Sequence, residues 1–323
     1  MIAKKRTIPL KILILTALLR RLPKNHIKRP QILVELSRRI AGFKGEESFD
    51  FYLNSLDEKK YMIIHDLNLP DGKYNCQIDT LLLSSNYALI IEIKNMAGKL
   101  IFDTDNDQFI QIVNGSEKGY ADPIAQAERQ KEYFKKLFPT LIVDYLIVFT
   151  NPHSILSFIG KNTQIKQRVC KSHSFLKKIE VFKKIYTDEI LTSKDLRKVS
   201  RTLIKMNTPP TAYIFEKYGI KKSELITGIH CPNCSFLPLV REKRKWFCPS
   251  CQTFSKDAHL YGLQDYFLLF NSKITNEEFR KFTSCKSSNI AYKLLLMCDL
   301  NNSGTNKGRT YFPNTLPLEN LEK

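Results

Sequence analysis

The chain has 323 residues, of which 43% are hydrophobic and 11% aromatic, and its formal net charge is +19. This length exceeds one ordinary domain of roughly 100 to 200 residues, and the composition excludes a largely disordered or low-complexity chain. We therefore expect one main domain with one or two smaller appendages.

The charge is distributed unevenly along the chain. Residues 1–44 carry 12 Lys and Arg against one acid, and residues 153–208 carry 13 against four, whereas residues 45–152 carry 10 against 17. Basic flanks suit a polyanion such as nucleic acid, and clustered carboxylates suit a hard divalent cation. Solvated helix faces are the plain alternative for the basic flanks.

The first apolar stretch, Ile12–Leu19, is too short to cross a membrane, because a span needs about 20 apolar residues. Arg20 and Arg21 follow it where a signal peptide would carry small residues. We predict a basic amphipathic helix that docks on the protein body, in preference to a membrane-surface anchor. The expected protein has no membrane span and is cytoplasmic.

Two helices are predicted next. The first runs from Gln31 to Ile40, and Gly42 and Gly45 are expected to end it. In the second helix, Glu46 is followed at helical spacing by three apolar residues, Phe49, Leu53 and Leu56. Glu46 therefore lies on the same inward face as these residues. A carboxylate on a buried stripe requires a compensating partner.

Strand patterns follow, and then a helix and a further strand. The predicted strands are Tyr61–Leu69, Cys76–Leu83, Ala88–Lys94, Lys99–Phe102 and Gln108–Val113, the helix is Ala121–Phe138, and the last strand is Leu141–Thr150. This order of helix, several strands, helix and strand predicts an α/β core whose sheet begins largely antiparallel. Beyond Pro152 we expect a basic helical region to about Met206, a boundary at Pro209-Pro210, a cysteine-bearing segment, a terminal helical segment, and a loose tail after Asn301.

Hairpin register brings two acids of this core together. A two-residue loop of Ser85 and Asn86 pairs Ser84 with Tyr87, and the same register places Asp79 opposite Glu92. Directly opposed side chains lie on the same face of the sheet, with Cβ atoms roughly 5 Å apart. Lys94 lies two residues after Glu92 on the same strand, so it shares that face.

Two ionised carboxylates at this separation repel each other unless a cation lies between them. In proteins this cation is usually a divalent metal ion. A metal there would polarise a phosphate and acidify bound water, and Lys94 would orient that water, which is the chemistry of phosphodiester hydrolysis. Glu46 would supply another ligand or accept a proton. The plain alternative is a charged cluster on a solvated sheet face in which Lys94 neutralises Glu92.

The motifs of this region resemble those of a known family. They are Gly45-Glu46, Gln77-Ile78-Asp79-Thr80-Leu81-Leu82, Ile91-Glu92-Ile93-Lys94-Asn95 followed by Gly98 and Leu100, and Pro123-Ile124-Ala125-Gln126-Ala127. Together they resemble the nuclease-related domain, NERD, over about Gly42 to Thr150, roughly a third of the chain. NERD is grouped with the PD-(D/E)XK restriction-endonuclease-like nucleases.

This resemblance implies a restriction-endonuclease-like core, a mixed sheet flanked by helices, that hydrolyses phosphodiester bonds of DNA or RNA. It implies Asp79 and Glu92 as ligands of catalytic Mg²⁺ or Mn²⁺, Lys94 as the catalytic lysine, Glu46 as the helix acid and Gln126 as a further site residue. The proline that usually precedes the aspartate is replaced here by Ile78.

Four of the eight cysteines form two Cys-x-x-Cys pairs, Cys231/Cys234 and Cys248/Cys251, separated by 13 residues. Two such turns with four thiolates are typical of a structural Zn²⁺ site in a zinc ribbon, and a redox pair normally opens a helix instead. His230, His259 and His65 are predicted to be ordinary packing or surface histidines. The remaining cysteines are expected to be small buried residues (Cys76, Cys170, Cys285 and Cys298).

The sequence thus predicts five segments. They are a basic helical extension (1–41), a NERD core (42–152), a basic helical region (153–227), a zinc ribbon (228–258) and a helical segment with a loose tail (259–323). The predicted function is a magnesium-dependent nuclease that acts on nucleic acid, most readily DNA. A non-catalytic nucleic-acid-binding protein with the same fold and a zinc-ribbon adaptor for a protein partner are the alternatives.

Overall fold

The computed structural model describes residues 1–72, 74–162, 164–208 and 213–314, apart from the side chains of Tyr74 and Lys307. These residues divide into two compact units: those of 1–6 and 40–210 form the first, and those of 7–39 and 211–323 form the second. Residues 315–323, the end of the predicted loose tail, and the predicted boundary at Pro209-Pro210 lie outside the described residues.

The helices and strands are as follows. The helices are α1 (Leu10–Arg21), α2 (Arg29–Leu53), α3 (Pro123–Leu137), α4 (Ile165–Arg168), α5 (Phe175–Ile185), α6 (Ser193–Met206), α7 (Ile214–Tyr218), α8 (Ala258–Leu269), α9 (Asn276–Thr283) and α10 (Ser288–Met297). The strands are β1 (Ile2–Lys4), β2 (Met62–Asp71), β3 (Tyr74–Leu83), β4 (Ala88–Lys94), β5 (Gly98–Asp103), β6 (Gln108–Val113), β7 (Ser116–Tyr120), β8 (Val143–Phe149), β9 (Ser154–Ile159), β10 (Val169–Lys171), β11 (Val240–Glu242), β12 (Lys245–Phe247), β13 (Phe254–Ser255), β14 (Ile274–Thr275), β15 (Leu300–Ser303) and β16 (Thr310–Pro313).

The first unit is built on a six-stranded mixed sheet in the order β1-β2-β3-β4-β8-β10. Strands β2, β3 and β4 are antiparallel, whereas β4, β8 and β10 are parallel and β1 is parallel to β2. One core packs α3 on one face of the sheet, and a second core packs the end of α2 and α5 on the other. The predicted α/β class, a mixed sheet flanked by helices, is confirmed.

The alternation of side chains shifts by one residue in the neighbouring strands β2 and β3. On the α3 side, β2 contributes Met62 and Ile64 and then Leu67, so that the alternation shifts by one residue. Asp66 lies at the shift with a φ of 51°, in the left-handed region. On β3, Leu81 and then Ile78 face the same core, so the alternation shifts by one residue there as well.

The predicted break in the helix before the site is wrong. Helix α2 continues from Arg29 to Leu53 through both Gly42 and Gly45. A Cβ atom on Gly45 would lie 2.5 Å from Asn95 Cβ and 2.7 Å from Thr150 Oγ1, next to the ends of β4 and β8. Gly45 is therefore required for the close approach of the helix to the sheet, and the next residue, Glu46, enters the site.

A second sheet of the first unit has the order β7-β6-β5-β9, with β9 parallel to β5. Strands β7 and β9 are absent from the predicted elements, and β9 and β10 lie in the region predicted to be helical. The prediction of a helical region from Pro152 to Met206 is therefore wrong in its first part and holds for α5 and α6.

The second unit has two cores of its own. In one, Leu15 and Leu18 of α1 are fully buried among residues of α7 and α8, so the helix predicted over Ile12–Leu19 packs into the protein body. This placement differs from the predicted extension 1–41, because residues 1–6 belong instead to the first unit. The other core joins the cysteine segment to α8, α9 and α10. None of the helices in the described ranges is both long and apolar enough to cross a membrane.

The chain after Asn301 is partly ordered, contrary to the predicted loose tail. Strands β15 and β16 form an antiparallel hairpin, and β16 also pairs with β14. Tyr311 is 2% exposed in the core of the second unit. Burial of this aromatic side chain offsets part of the entropy lost when the polar hairpin becomes ordered.

Candidate functional site

The hairpin of β3 and β4 has the register that the sequence predicts. Ser84 N donates to Tyr87 O across the Ser85-Asn86 loop (2.9 Å), and Thr80 pairs with Ile91. The next pair in this register is Asp79 with Glu92. There the backbone ladder ends, because Ile93 N donates to Asp79 Oδ2 (2.9 Å).

Glu92 is a buried carboxylate, 2% exposed, with two side-chain donors. Lys94 Nζ lies 2.6 Å from Glu92 Oε1, and Gln130 Nε2 lies 2.9 Å from Glu92 Oε2. Gln130 Nε2 also donates to the backbone oxygen of Gln77 on β3 (2.8 Å). These donors offset the cost of burying the Glu92 charge and fix its orientation.

Helix α3 contributes two glutamines to the site. Lys94 Nζ donates to Gln126 Oε1 (3.1 Å), so the predicted site residue Gln126 contacts the lysine. Gln130 lies one turn further along the same face and contacts Glu92. The sequence prediction missed Gln130, although its spacing of four residues from Gln126 was the available signal.

Glu46 reaches this region from α2, but its carboxylate is paired with an arginine. Arg6 Nη1 lies 2.7 Å from Glu46 Oε2, and its guanidinium also contacts Asp50 and Asp66 (both 3.1 Å). The Arg6 side chain is 4% exposed. The sequence prediction placed Arg6 in a basic extension, and nothing local in the sequence connects it with acids 40 to 60 residues away.

His65 lies beside this arginine and is uncharged. Its Nδ1 atom contacts Thr80 Oγ1 (3.1 Å) and Arg6 Nη2 (3.0 Å). Burial and the positive charges of Arg6 and Lys4 lower the pKa of His65 to about 3. A neutral, hydrogen-bonded and buried imidazole fits the predicted packing role.

The site has an excess of negative charge in spite of these cations. Burial raises the pKa of Asp79 well above its usual range, and the nearby charges of Glu92 and Glu46 raise it further. Burial likewise raises the pKa of Glu46 to about 7, helped by Asp66, Glu92 and Asp50 and opposed by Arg6. A bound cation would relieve the repulsion that raises both values.

Oxygen donors of this kind fit a hard divalent cation. Asp79 and Glu92 belong to adjacent strands, and carboxylate oxygens are the ligands that Mg²⁺ and Mn²⁺ prefer. Within the described part of the chain, these acids do not form a cluster of three or more close carboxylate ligands, and Glu46 faces Arg6. The residues therefore fit a metal with two protein carboxylates and further ligands from water and substrate.

A second candidate metal site lies in the second unit. The Sγ atoms of Cys231, Cys234, Cys248 and Cys251 all lie within 4.8 Å of one another. Cysteine thiolates at this separation suit tetrahedral Zn²⁺. A hydrogen bond with Thr253 Oγ1 (3.0 Å) lowers the pKa of Cys251 to about 6, whereas burial raises the pKa of Cys248 to about 11. A bound metal would favour the thiolate form of both.

The two cysteine turns have the same backbone geometry. In the first, Cys231 O accepts from Ser235 N (2.9 Å), and in the second, Cys248 O accepts from Gln252 N (2.8 Å). Ser235 and Gln252 have φ values of 59° and 55°. Two equivalent turns that each present a pair of sulfurs to one centre form a zinc-ribbon-like segment.

The ribbon histidines are not part of the sulfur cluster, as the sequence predicted. His230 Nδ1 lies 3.3 Å from Asp265 Oδ2, and His259 packs against Trp246 with ring centroids 6.4 Å apart. Both histidines are buried, and burial lowers the pKa of each. They pack the ribbon onto α8 as ordinary core residues.

Two family models match parts of the chain. Residues 41–150 match the nuclease-related domain, NERD, so the first unit contains a nuclease-related domain. Residues 226–252 match the model described as Sjogren's syndrome/scleroderma autoantigen 1 (autoantigen p27), and this range includes all four clustered cysteines. No curated protein and no solved structure gives a significant match.

Proposed function

We propose that the nuclease-related domain is a magnesium-dependent phosphodiesterase of the PD-(D/E)XK, restriction-endonuclease-like type. The observation that carries the proposal is the convergence of Asp79, Glu92 and Lys94, which follows from the register of β3 and β4. Asp79 and Glu92 would hold Mg²⁺ or Mn²⁺. When bound, the metal supplies charge stabilisation to the phosphate and lowers the pKa of bound water.

Lys94 is proposed to position and activate the attacking water. Its ammonium group is held between Glu92 and Gln126, at 2.6 and 3.1 Å, so that it is fixed before substrate arrives. A preorganised cation beside the reacting phosphate stabilises the negative charge of the transition state. Gln130 holds Glu92, and Glu46 with Arg6 forms the acidic wall of the site.

Nucleic acid is the proposed substrate, most readily DNA. Helix α6 supports this with an exposed basic face, while Leu203 of the same helix is buried in the core. The exposed basic residues are Lys194, Arg197, Lys198, Arg201 and Lys205. A row of cations of this kind attracts phosphates, although a solvated helix face has the same composition.

The cysteine cluster is proposed to hold one structural Zn²⁺. All eight cysteines are free in the structure, and the four ribbon sulfurs are the ones gathered at a common centre. Reduced thiols and a zinc site are typical of the cytoplasm, which is the proposed location.

The test is a cleavage assay with a panel of substrates: single-stranded and double-stranded DNA, and single-stranded RNA, each labelled at one end. Each substrate is incubated with the protein in magnesium, in manganese and with neither metal. The metal-free arm is prepared by exhaustive dialysis, because a strong chelator would also remove zinc. We expect cleavage of at least one substrate that requires the added metal.

Binding of the same substrates without cleavage in either metal would contradict the proposal. It would favour the alternative in which the fold only holds nucleic acid. Cleavage that requires added metal but persists in the Glu92→Ala protein at the parental rate would count against the assigned site.

A further inference from the structure

The zinc ribbon exposes one face of its small sheet. Strand β12 pairs with β11 and β13, so that Val240, Phe247 and Phe254 lie side by side across the three strands. The opposite face carries Trp246, which is 1% exposed in the core of the second unit. Since side chains alternate across a strand, the row of three residues points away from that core.

This outer face, defined by Val240, Phe247 and Phe254, is apolar and partly exposed. Phe254 is 54% exposed and Val240 is 49% exposed. The rings of Phe247 and Phe254 lie 4.9 Å apart with an interplanar angle of 39°. Exposed neighbouring aromatic rings form a platform on which a further ring can stack.

Cations border the outer face. Lys243 and Arg244 are exposed in the β11–β12 turn, Lys245 is exposed at the start of β12, and Lys256 is exposed just after β13. Lys245 Nζ lies 6.0 Å from the ring centroid of Phe254. The same segment exposes two acids, Glu242 and Asp257, so the four cations leave the border with a net positive charge.

The turn that carries these cations is held in place. Arg241 lies on the inner face, where its guanidinium is 4.8 Å from the Trp246 ring centroid, and its Nη2 atom donates to Arg244 O (3.1 Å). Arg241 is therefore a turn-bracing residue and not one of the exposed cations. The φ values of Lys243 and Arg244, 40° and 71°, agree with a tight hairpin turn.

We propose that the outer face of the ribbon binds single-stranded nucleic acid. Bases would stack on Phe254 and Phe247, and the cations of the turn would contact the adjacent phosphates. Aromatic platforms bordered by lysine and arginine are the physical means by which proteins bind single strands without reading sequence. A duplex does not suit this face, because its bases are already stacked on each other. The proposal concerns a surface separate from the carboxylate site and does not depend on cleavage.

Charge distinguishes this partner from a protein partner. An apolar peptide would contact Phe254, Phe247 and Val240 and would leave the four bordering cations without a partner. A polyanion with aromatic rings satisfies both the apolar and the charged parts of the surface. The two sources of this chemistry, single-stranded DNA and single-stranded RNA, are separate arms of the test.

The test is fluorescence anisotropy with the zinc-loaded 323-residue chain carrying Glu92→Ala, in buffer without magnesium so that no probe is cut. The probes are labelled oligo(dT) and oligo(rU) of about 20 nucleotides and a DNA duplex of the same length. Phe254→Ala is compared with Tyr213→Ala, which removes another exposed aromatic residue (68% exposed) of the same unit. Emission from Trp246, the single tryptophan, checks that the ribbon is intact.

We expect Phe254→Ala to weaken single-strand binding about tenfold, because one stacked base is lost, with little change for the duplex. Tyr213→Ala should bind like the parent. Log affinity falls with log salt. Replacing Lys243 and Arg244 together by Gln should make this fall less steep by about 1.4, because two phosphate contacts are lost.

Parental binding of both single strands by Phe254→Ala, with Trp246 emission unchanged, would overturn the proposal and leave the outer face to a protein partner. An equal loss on single strands and duplex would overturn it as well, since stacking predicts a difference. Neither result would bear on the carboxylate site, because no probe is cleaved in these measurements.

Discussion

The Arg6 guanidinium lies 2.7 Å from the carboxylate of Glu46, a residue 40 positions further along the chain. The contact joins the segment after β1 to helix α2 at the edge of the candidate active site. It also gives the acidic wall of the site a fixed cation that lies outside the residues matched by the nuclease-related family.

Replacing this cation should destabilise the first unit. Arg6→Gln leaves Glu46, Asp50 and Asp66 without their common partner, and loss of one member of a buried ion cluster costs on the order of 3 kcal/mol. We expect that loss in the free energy of unfolding at pH 7, measured by urea denaturation and far-ultraviolet circular dichroism. Lys5→Gln, an exposed neighbour, is the matched control. Equal stability of the two variants would show that Arg6 is dispensable.

Glu46 should make the stability of the metal-free protein depend on pH. Its pKa is raised from 4.5 to about 7, so the folded state binds the proton more tightly than the unfolded state does. The resulting stabilisation is present below pH 4.5 and is lost as pH rises through 7. The lowered pKa of His65 produces the opposite trend below pH 6.5.

The stability of the Glu46→Gln variant is compared with that of the parent at each pH. Both proteins contain His65, so its contribution to the pH dependence cancels in the difference. We expect the stability of the variant relative to the parent to increase between pH 5 and pH 7.5, because the parent alone loses its favourable proton. Urea midpoints at a series of pH values measure it. A difference that is constant across this range would argue against the raised pKa.

Two glutamines on one helix should have separable effects on catalysis. Gln130 contacts Glu92, a proposed metal ligand, whereas Gln126 contacts Lys94. Gln130→Ala should raise the magnesium concentration at half-maximal rate by about 10-fold to 100-fold, the usual effect of losing a ligand's supporting hydrogen bond. Gln126→Ala should lower the rate at saturating magnesium and leave the magnesium concentration at half-maximal rate unchanged. Magnesium titrations of initial rate measure both, and identical profiles for the two variants would refute the division.

Zinc should support the folding of the ribbon and not the cleavage by the first unit. About one zinc per chain should copurify with the protein, and Cys248→Ser should release it, because such segments fold with their metal. Trp246 emission should shift to longer wavelength as its buried site opens, while cleavage by the first unit persists. Mass spectrometry for bound metal and fluorescence measure the two effects. Retention of parental zinc by Cys248→Ser would contradict the four-cysteine site.

The site was predictable where neighbouring residues along the chain determine it. The β3–β4 register follows from a two-residue loop and strict alternation, so the amino-acid sequence alone is enough to group Asp79, Glu92 and Lys94. The grouping of Cys231, Cys234, Cys248 and Cys251 was predictable for the same reason, because each pair lies within one turn.

Elements that depend on distant packing were not predictable. Gly45 was expected to end a helix, since glycine costs roughly 1 kcal/mol there, but contact of α2 with Asn95 and Thr150 outweighs that cost. Strand β9 lies beside β5 through a parallel pairing across more than 50 residues, which no local pattern reveals. Arg6 was missed because its acidic partners come from two separate elements, α2 and β2, that lie 40 to 60 residues further along the chain.

The central claim is that Asp79, Glu92 and Lys94 form one metal-dependent phosphodiesterase site. The variants differ in what they remove: Asp79→Ala and Glu92→Ala take away proposed metal ligands, whereas Lys94→Ala leaves both ligands in place. Lys94→Ala should therefore keep magnesium binding and lose about 100-fold in rate, the usual order for one preorganised electrostatic group. Asp79→Ala and Glu92→Ala should fold, because each removes one of the like charges that repel in the metal-free site. Lys94→Ala instead leaves the buried Glu92 without its cation, so its circular dichroism spectrum is compared with the parent's before its rate is interpreted.

The most direct test is the single-turnover cleavage rate of Glu92→Ala in saturating magnesium, measured beside the parent on the substrate that the parent cleaves best. The account predicts no cleavage above the background without magnesium, together with a parental circular dichroism spectrum. Cleavage by Glu92→Ala at the parental rate would contradict the account, and the carboxylate pair would then have no part in catalysis.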